Sequence, residues 1–238
     1  MGEKRKKICV YCGIAEATTD DHVPPKGLYP DGADMSVLFT VPACLPCNSS
    51  LSKDEEWFRL FLATAAHDES PLASDIFADK IRRSMTRDEQ VAAGQPLLRG
   101  HLSKLELVDE KTPSGLYTGK KKTKFSLTDA DWRRYYRVLD KIAKGTYFRR
   151  TGTILPEGMA IRHFMMNAAW VERQTEMLKT LKFEMSPVFS VGFGTVEGTA
   201  DSVCVTLFYE CVPFLSIIVA DEVMHEWDAR KKAGEFAA

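Results

Sequence analysis

The stretch TTDDHVPPKG, residues 18–27, lies between two Cys-x-x-Cys pairs, CVYC at residues 9–12 and CLPC at residues 44–47. Two thiolates at this spacing can reach one metal ion, and four complete the tetrahedron that zinc adopts in structural sites. The pattern therefore predicts a structural zinc ion, Zn²⁺, bound by Cys9, Cys12, Cys44 and Cys47.

A unit of about fifty residues buries too little surface to be stable alone, so we expect the zinc ion to supply folding free energy. The spacer between the two pairs is longer than that of a minimal zinc ribbon. It leaves room for a functional insertion.

The insertion contains Asp20, Asp21 and His22, followed after Val23 by two prolines, and His22 is the only histidine in the first sixty residues. Adjacent residues of an extended segment point to opposite sides, so Asp21 and His22 can have different roles. Asn48 directly follows the last cysteine of the second pair and is held in place by it.

The order CVYC, DHVPP and VPACLPCN, followed by SKDEEWFR, resembles the zinc-knuckle branch of the HNH endonuclease family over residues 9 to about 59. The resemblance implies a ββα-metal hairpin and helix that carry the active site. It also implies that His22 is the general base that activates water, and that Asp21 and Asn48 bind a catalytic divalent ion, Mg²⁺ or Mn²⁺.

The chemistry of these residue types agrees with the roles that the resemblance implies. A neutral imidazole can take a proton from water near neutral pH, and Asp and Asn offer oxygen atoms to a hard cation. The ion polarises the scissile phosphate and stabilises the leaving oxygen. We therefore expect a metal-dependent endonuclease, with DNA favoured over RNA as its substrate.

The chain departs from the family pattern at the middle Asn, because no Asn lies between His22 and Asn48. In the family this residue mainly tightens the loop that carries the His. We expect Asp31, Asp34 or a backbone carbonyl to replace it.

The segment SKDEEWFRLFLATAAH, residues 52–67, predicts a helix that begins with a capping box formed by Ser52 and Glu55. Its apolar residues cover most of its circumference, so it must be buried by more than one neighbour. A second helix is predicted from residue 71, and His101 is interpreted as a surface or packing residue.

A basic segment covers residues 119–150, in which eleven Lys or Arg accompany three Asp. It predicts a helix that Thr128 caps and Gly145 ends, with a basic stripe that suits phosphate backbones. A solvated amphipathic helix is the alternative. The predicted nucleic-acid contacts are Lys120, Lys121, Lys122, Arg133, Arg137, Lys141 and Lys144.

The C-terminal part predicts a helix from about residue 159 to 183, then three short antiparallel strands after Pro187 and a closing helix. We assign residues 1–67 to an HNH nuclease-like zinc module. Residues 68–238 are assigned to an α+β region with the basic helix, 128–145, and the C-terminal strands. The predicted fold class is α+β, an N-terminal ββα-metal module followed by a mixed helical and antiparallel region.

The composition is that of an ordinary globular protein, with 238 residues of which 45% are hydrophobic and 27% charged. Because no apolar run has the length of a signal peptide or a membrane span, we expect a soluble, cytoplasmic protein that binds nucleic acid and no membrane. In that compartment the closely paired cysteines are metal ligands rather than disulfides. Two alternatives remain open: a catalytically silent zinc module that binds nucleic acid or a protein, and an RNA nuclease or toxin.

Overall fold

The structure is a computed structural model that describes residues 6–76, 78, 100, 103–112 and 114–233. His101 and most of the predicted helix from residue 71 lie outside the described residues. The elements in chain order are β1 (Thr19–Val23), a 3₁₀ turn (Lys26–Leu28), β2 (Phe39–Ala43), α1 (Leu45–Ser49), α2 (Ser52–Ala65), α3 (Pro71–Ile76), β3 (Leu105–Lys111), β4 (Tyr117–Phe125), α4 (Asp129–Thr151), β5 (Met159–Met165), α5 (Ala168–Arg173), α6 (Thr175–Thr180), β6 (Lys182–Glu184), β7 (Phe189–Thr195), β8 (Ser202–Phe208), β9 (Val212–Ala220) and α7 (Asp221–Lys232).

The strands form three antiparallel sheets, two of them hairpins, β1–β2 and β3–β4, and one with the order β5-β9-β8-β7-β6. The three strands predicted after Pro187 correspond to β7, β8 and β9. Together with the helices these sheets confirm the predicted α+β class. None of the helices in the described ranges combines the length and the low polarity needed to cross a membrane.

Helix α4 begins where the sequence predicts and ends later. Thr128 and Asp131 form a reciprocal capping box, in which the Thr128 amide donates to the Asp131 carboxylate at 2.8 Å. The predicted end at Gly145 is wrong, because the helix continues to Thr151 and ends at Gly152, whose φ is 74°. A glycine with positive φ is a common helix end.

Gly145 is a packing residue inside α4. A β-carbon added to it would lie 2.6 Å from Cγ2 of Val23, which is too close for any contact between carbon atoms. The absent side chain lets α4 lie directly against the end of strand β1. This contact fixes the position of the hairpin that carries the Asp-His pair.

The long helix predicted from residue 159 to 183 is wrong. Residues Met159–Met165 form β5, which pairs along its whole length with β9, and two short helices follow. Ile161 and Met165 are four residues apart, and this spacing puts two side chains on one face in a strand as well as in a helix. The pattern therefore does not separate the two structures.

The capping box predicted for α2 is also wrong. Ser52 is the first residue of the helix, and its hydroxyl donates to the carbonyl of Ser49 at 2.9 Å. Glu55 does not return to the helix start but contacts Lys141 of α4. The Glu55 side chain therefore forms a tertiary ion pair instead of a local cap.

One hydrophobic core joins the N-terminal segment to the rest of the chain. The ring of Phe58 on α2 lies 5.9 Å from that of Tyr135 on α4, 5.4 Å from that of Phe208 on β8 and 6.0 Å from that of Phe214 on β9. All four side chains are buried. The prediction that α2 has more than one neighbour is therefore confirmed.

Candidate metal centre and active site

Four cysteines form the best-defined cluster of metal-ligating groups in the described part of the chain. Their sulfur atoms all lie within 4.8 Å of one another. In a tetrahedral zinc site with bonds of about 2.3 Å, the sulfurs stand about 3.8 Å apart. The cluster formed by Cys9, Cys12, Cys44 and Cys47 therefore fits a single metal ion such as zinc.

The chain builds this cluster from two local structures. Cys9 and Cys12 lie in a turn closed by an isolated bridge between Ile8 and Glu16. Cys44 directly follows β2, and Cys47 lies on α1. The hairpin thus ends at the metal cluster, so the cluster sets the position of both strands.

Cys12 has the environment of a thiolate ligand. The backbone N–H groups of Ala15 and Ile14 donate to its sulfur and lower the pKa of the thiol to about 6. Burial raises the pKa of the neighbouring Cys47. Hydrogen bonds that favour the thiolate prepare a cysteine for metal binding.

Asp21 is buried on the side of β1 that faces α4. Its Oδ2 accepts a hydrogen bond from the Tyr11 hydroxyl at 2.8 Å and lies 2.6 Å from the Lys141 ammonium nitrogen. Burial raises the pKa of Tyr11, and the Asp21 carboxylate raises it further, so the phenol stays neutral and donates. Tyr11 lies between Cys9 and Cys12, so the first cysteine pair and the carboxylate are physically connected.

His22 lies next to Asp21 on β1, with its side chain on the opposite side of the strand. It is half-buried and sits opposite Thr40 of β2. Within the described ranges its imidazole makes no hydrogen bond or ion pair. No described side chain therefore fixes the orientation of the ring.

Asn48 lies on α1, and its side-chain amide donates to the hydroxyl of Thr19 at 3.0 Å. Thr19 and Asp21 are two residues apart on β1 and so point to the same face. The structure thus places Asn48 on the same side of β1 as Asp21. His22 lies on the opposite side, across the edge of the strand.

The oxygen donors of Asp21 and Asn48 suit a hard divalent ion, and the position beside Asp21 already attracts a cation, the ammonium of Lys141. The donor chemistry therefore fits Mg²⁺ or Mn²⁺. An ion there would compete with the Lys141 ammonium for the Asp21 carboxylate.

The predicted basic stripe is divided between exposed and buried residues. Arg133 and Arg137 are exposed, and Arg137 pairs with Asp54 at 3.0 Å. Lys144 is half-buried and donates to the Tyr11 carbonyl at 3.3 Å.

Two parts of the predicted phosphate-binding set need correction. Lys141 is only 4% exposed and its ammonium is enclosed by two carboxylates, so it cannot reach a phosphate backbone in this arrangement. Lys120, Lys121 and Lys122 lie on strand β4 rather than on the predicted loop; their side chains are outside the described part.

The loop after His22 is held by a contact from the far end of the chain. The Tyr209 hydroxyl donates to the carbonyl of Leu28 at 2.6 Å, and both residues are buried. Asp34 accepts from the amide and hydroxyl of Ser36, each at 2.9 Å, which closes a local turn. Both contacts help to order this loop; that Asp31, Asp34 or a backbone carbonyl replaces the Asn of the family pattern stays a prediction.

A second polar cluster, Asp140–His163–Ser216, is formed by residues too far apart in the chain for any spacing pattern to connect them. His163 is hydrogen-bonded through Nδ1 to Ser216 at 2.8 Å and through Nε2 to Asp140 at 2.9 Å. These residue types occur in serine hydrolases, but Ser216 is 1% exposed and a nucleophile must meet its substrate. The cluster therefore ties α4 to the large sheet.

Comparisons with protein-family models, with curated proteins and with solved structures gave no match to this chain.

Proposed function

We propose that this chain is a metal-dependent endonuclease that hydrolyses phosphodiester bonds, with DNA favoured over RNA. One observation carries the proposal. Asp21 and His22 lie on the first strand of a hairpin, and Asn48 lies on the helix after it and is hydrogen-bonded to that strand. Asp21 and Asn48 also have structural contacts, but a module that only binds a partner does not need the His22 imidazole as a base.

In this proposal His22 accepts the proton of the attacking water, because its imidazole has no competing partner among the described residues. Asp21 and Asn48 hold the divalent ion with their oxygen atoms. When bound, the ion polarises the phosphate and stabilises the leaving oxygen. No covalent intermediate on the protein is required.

Asp21 and His22 lie on opposite faces of β1, so groups from both faces must act on one scissile phosphate. Among the described residues β1 pairs with β2 alone, so its other edge carries no strand. A sugar-phosphate backbone lying along that edge would contact His22 directly and would reach the buried Asp21 only through the divalent ion. The exposed Arg133 and Arg137 of α4 supply positive charge for phosphates farther along.

The deciding experiment compares His22→Ala with the wild type on plasmid, single-stranded DNA and RNA, each with Mg²⁺, Mn²⁺ or EDTA. We expect cleavage to fall by about 10²–10⁴, the usual contribution of a general base. His225→Ala is the matched control, because His225 is exposed on α7. Zinc content and melting temperature should be unchanged in both variants. Cleavage at the wild-type rate by His22→Ala would contradict the assignment.

A second candidate is a catalytically silent zinc module. It is favoured by the enclosure of Asp21 by Tyr11 and Lys141, which gives the carboxylate a structural role. Under this alternative the wild type cleaves none of the three substrates with any ion, while it still binds nucleic acid or a protein.

A further inference from the structure

Lys141 bridges two carboxylates that come from different elements. Its ammonium lies 2.6 Å from Oδ2 of Asp21 on β1 and also contacts Oε1 of Glu55 on α2. Lys141 itself comes from α4 and is 4% exposed. Three elements therefore meet at a single buried cation.

The charges at this point do not cancel. Asp21 and Glu55 bring two negative charges against the one positive charge of Lys141. The nearby Tyr11 hydroxyl is a neutral donor, the guanidinium of Arg137 pairs with Asp54 at 3.0 Å, and the Lys144 ammonium donates to the Tyr11 carbonyl at 3.3 Å rather than to either carboxylate. In a partly buried site, where electrostatic interactions are strong, this excess of negative charge favours a cation of higher charge.

A divalent ion and the ammonium need the same oxygen atoms. Metal–oxygen bonds to Mg²⁺ or Ca²⁺ are about 2.0–2.6 Å long, which is as short as the ammonium contact itself. Two cations cannot share that space, because they repel each other and the carboxylate lone pairs are limited. Binding of an ion at Asp21 therefore requires the Lys141 ammonium to move.

The structure offers the ammonium a place to go. A surface cavity of about 240 Å³ adjoins Lys141 and is lined by Tyr11, Asp140 and Lys144 among others. The Asp140 side chain is 43% exposed, so this wall of the cavity is open to water. A displaced ammonium can be hydrated there beside the Asp140 carboxylate.

We propose that Lys141 is a tethered counter-ion that competes with the divalent ion for Asp21 and Glu55 and is expelled when the ion binds. The inference rests on the divalent-ion site of the proposed function, and it adds Glu55 and Lys141 to the groups that set ion affinity. The ion affinity of the wild type is accordingly lower than its oxygen donors alone would give.

The first test measures Mn²⁺ binding to zinc-loaded protein from the electron paramagnetic resonance signal of free Mn²⁺. Lys141→Met keeps an unbranched side chain and removes the ammonium. We expect it to bind Mn²⁺ at least about tenfold more tightly than the wild type, since the competing charge is gone. Adding Asp21→Asn should abolish the gain. Lys231→Met, at an exposed position of α7 away from the cavity, is the matched control and should bind Mn²⁺ as the wild type does.

The second test uses wild-type protein, so it does not depend on the folding of a variant. Lysine amines are labelled with acetic anhydride and located by peptide mass spectrometry, with and without saturating Mg²⁺. We expect Lys141 to be protected without the ion and labelled about tenfold faster with it, as is typical when a buried amine becomes hydrated. Lys231, which is exposed on α7, serves as the internal reference.

Equal Mn²⁺ affinity of wild type and folded Lys141→Met, absence of binding to both, or a Lys141 that stays protected while the ion is bound would each overturn the inference. If Lys141→Met does not fold, the labelling result decides. Tighter Mn²⁺ binding without nucleic-acid cleavage leaves the inference standing and contradicts the endonuclease. Nucleic-acid cleavage by the wild type, together with an unchanged Mn²⁺ affinity of Lys141→Met, would support the endonuclease and contradict the inference.

Discussion

The hydroxyl of Tyr209 reaches across the molecule to the backbone carbonyl of Leu28, 181 residues earlier in the chain, and donates a hydrogen bond of 2.6 Å. Tyr209 lies in the turn between β8 and β9, and Leu28 lies in the loop that follows His22. The large sheet therefore holds the loop of the candidate active site.

Tyr209→Phe removes this hydrogen bond and leaves a buried carbonyl without its partner. We expect a loss of about 1–3 kcal/mol in the free energy of unfolding. The loop should also become more susceptible to limited proteolysis. Urea denaturation and peptide mapping measure the two effects. Tyr136→Phe is a matched control, because within the described ranges no hydrogen bond involves the Tyr136 hydroxyl; an equal loss in both variants would contradict the role of Tyr209.

Gly145→Ala tests the contact between α4 and the hairpin. Alanine favours a helix interior over glycine by about 1 kcal/mol, but the new methyl group would lie 2.6 Å from Val23. Overpacking costs about 1–3 kcal/mol, so we expect a net destabilisation of up to about 2 kcal/mol. The measurement is thermal or urea unfolding.

The double variant Gly145→Ala with Val23→Ala gives the control for this contact. Removing the Val23 methyl groups makes room for the new β-carbon, so the double variant should lose less stability than the two single changes added together. A coupling of about 0.5–3 kcal/mol is expected for residues that touch directly. Additive effects would show that the two residues do not interfere.

Cys44→Ser tests the zinc site. Binding free energies of structural zinc in small modules are about 10–16 kcal/mol, comparable with the whole stability of a domain at about 5–15 kcal/mol. Because the N-terminal segment shares its core with the rest of the chain, we expect loss of the bound metal and unfolding of the protein in one transition. Elemental analysis and circular dichroism measure both. Cys211→Ser, outside the four-cysteine cluster, should keep zinc and fold; well-folded wild type without metal would refute the site.

The exposed arginines of α4 are tested by the salt dependence of DNA binding. The variant Arg133→Gln with Arg137→Gln should bind more weakly, and the slope of log affinity against log salt should flatten by about 0.9 for each phosphate that is no longer neutralised. Lys232→Gln, an exposed residue of α7, is the control. An unchanged slope would assign these residues to a solvated helix face. The fold should survive, because Arg134 remains within 4.0 Å of the Asp54 carboxylate that loses Arg137.

The metal cluster and the helix start at Thr128 could be predicted because both depend on short-range chemistry. Cysteine spacing limits which thiolates can reach one ion, and the Thr128–Asp131 pair satisfies helix amides within one turn. The strands after Pro187 were also predictable, since their apolar residues alternate between turn signals.

The failures occurred where distant residues decide the local structure. Gly145 is a helix-ending residue by local preference, but Val23, far away in sequence, occupies the space beside it. Glu55 could close a capping box, but Lys141 offers it an ion pair. The spacing of Lys141 along α4 predicted an exposed position in a basic stripe. Its ammonium is instead enclosed by two carboxylates from other elements. The periodicity of the sequence does not identify any of these partners.

The aromatic contacts of α2 also determine how this protein could be divided or recombined. Phe58 and Phe61 pack against Tyr135, Phe208 and Phe214, which all lie beyond residue 67. A fragment cut after the zinc module would expose this apolar surface to water and would tend to aggregate. Gene fusion could therefore not transfer the hairpin with the cysteine cluster to another protein by itself. The hairpin needs the helix and the sheet that cover it.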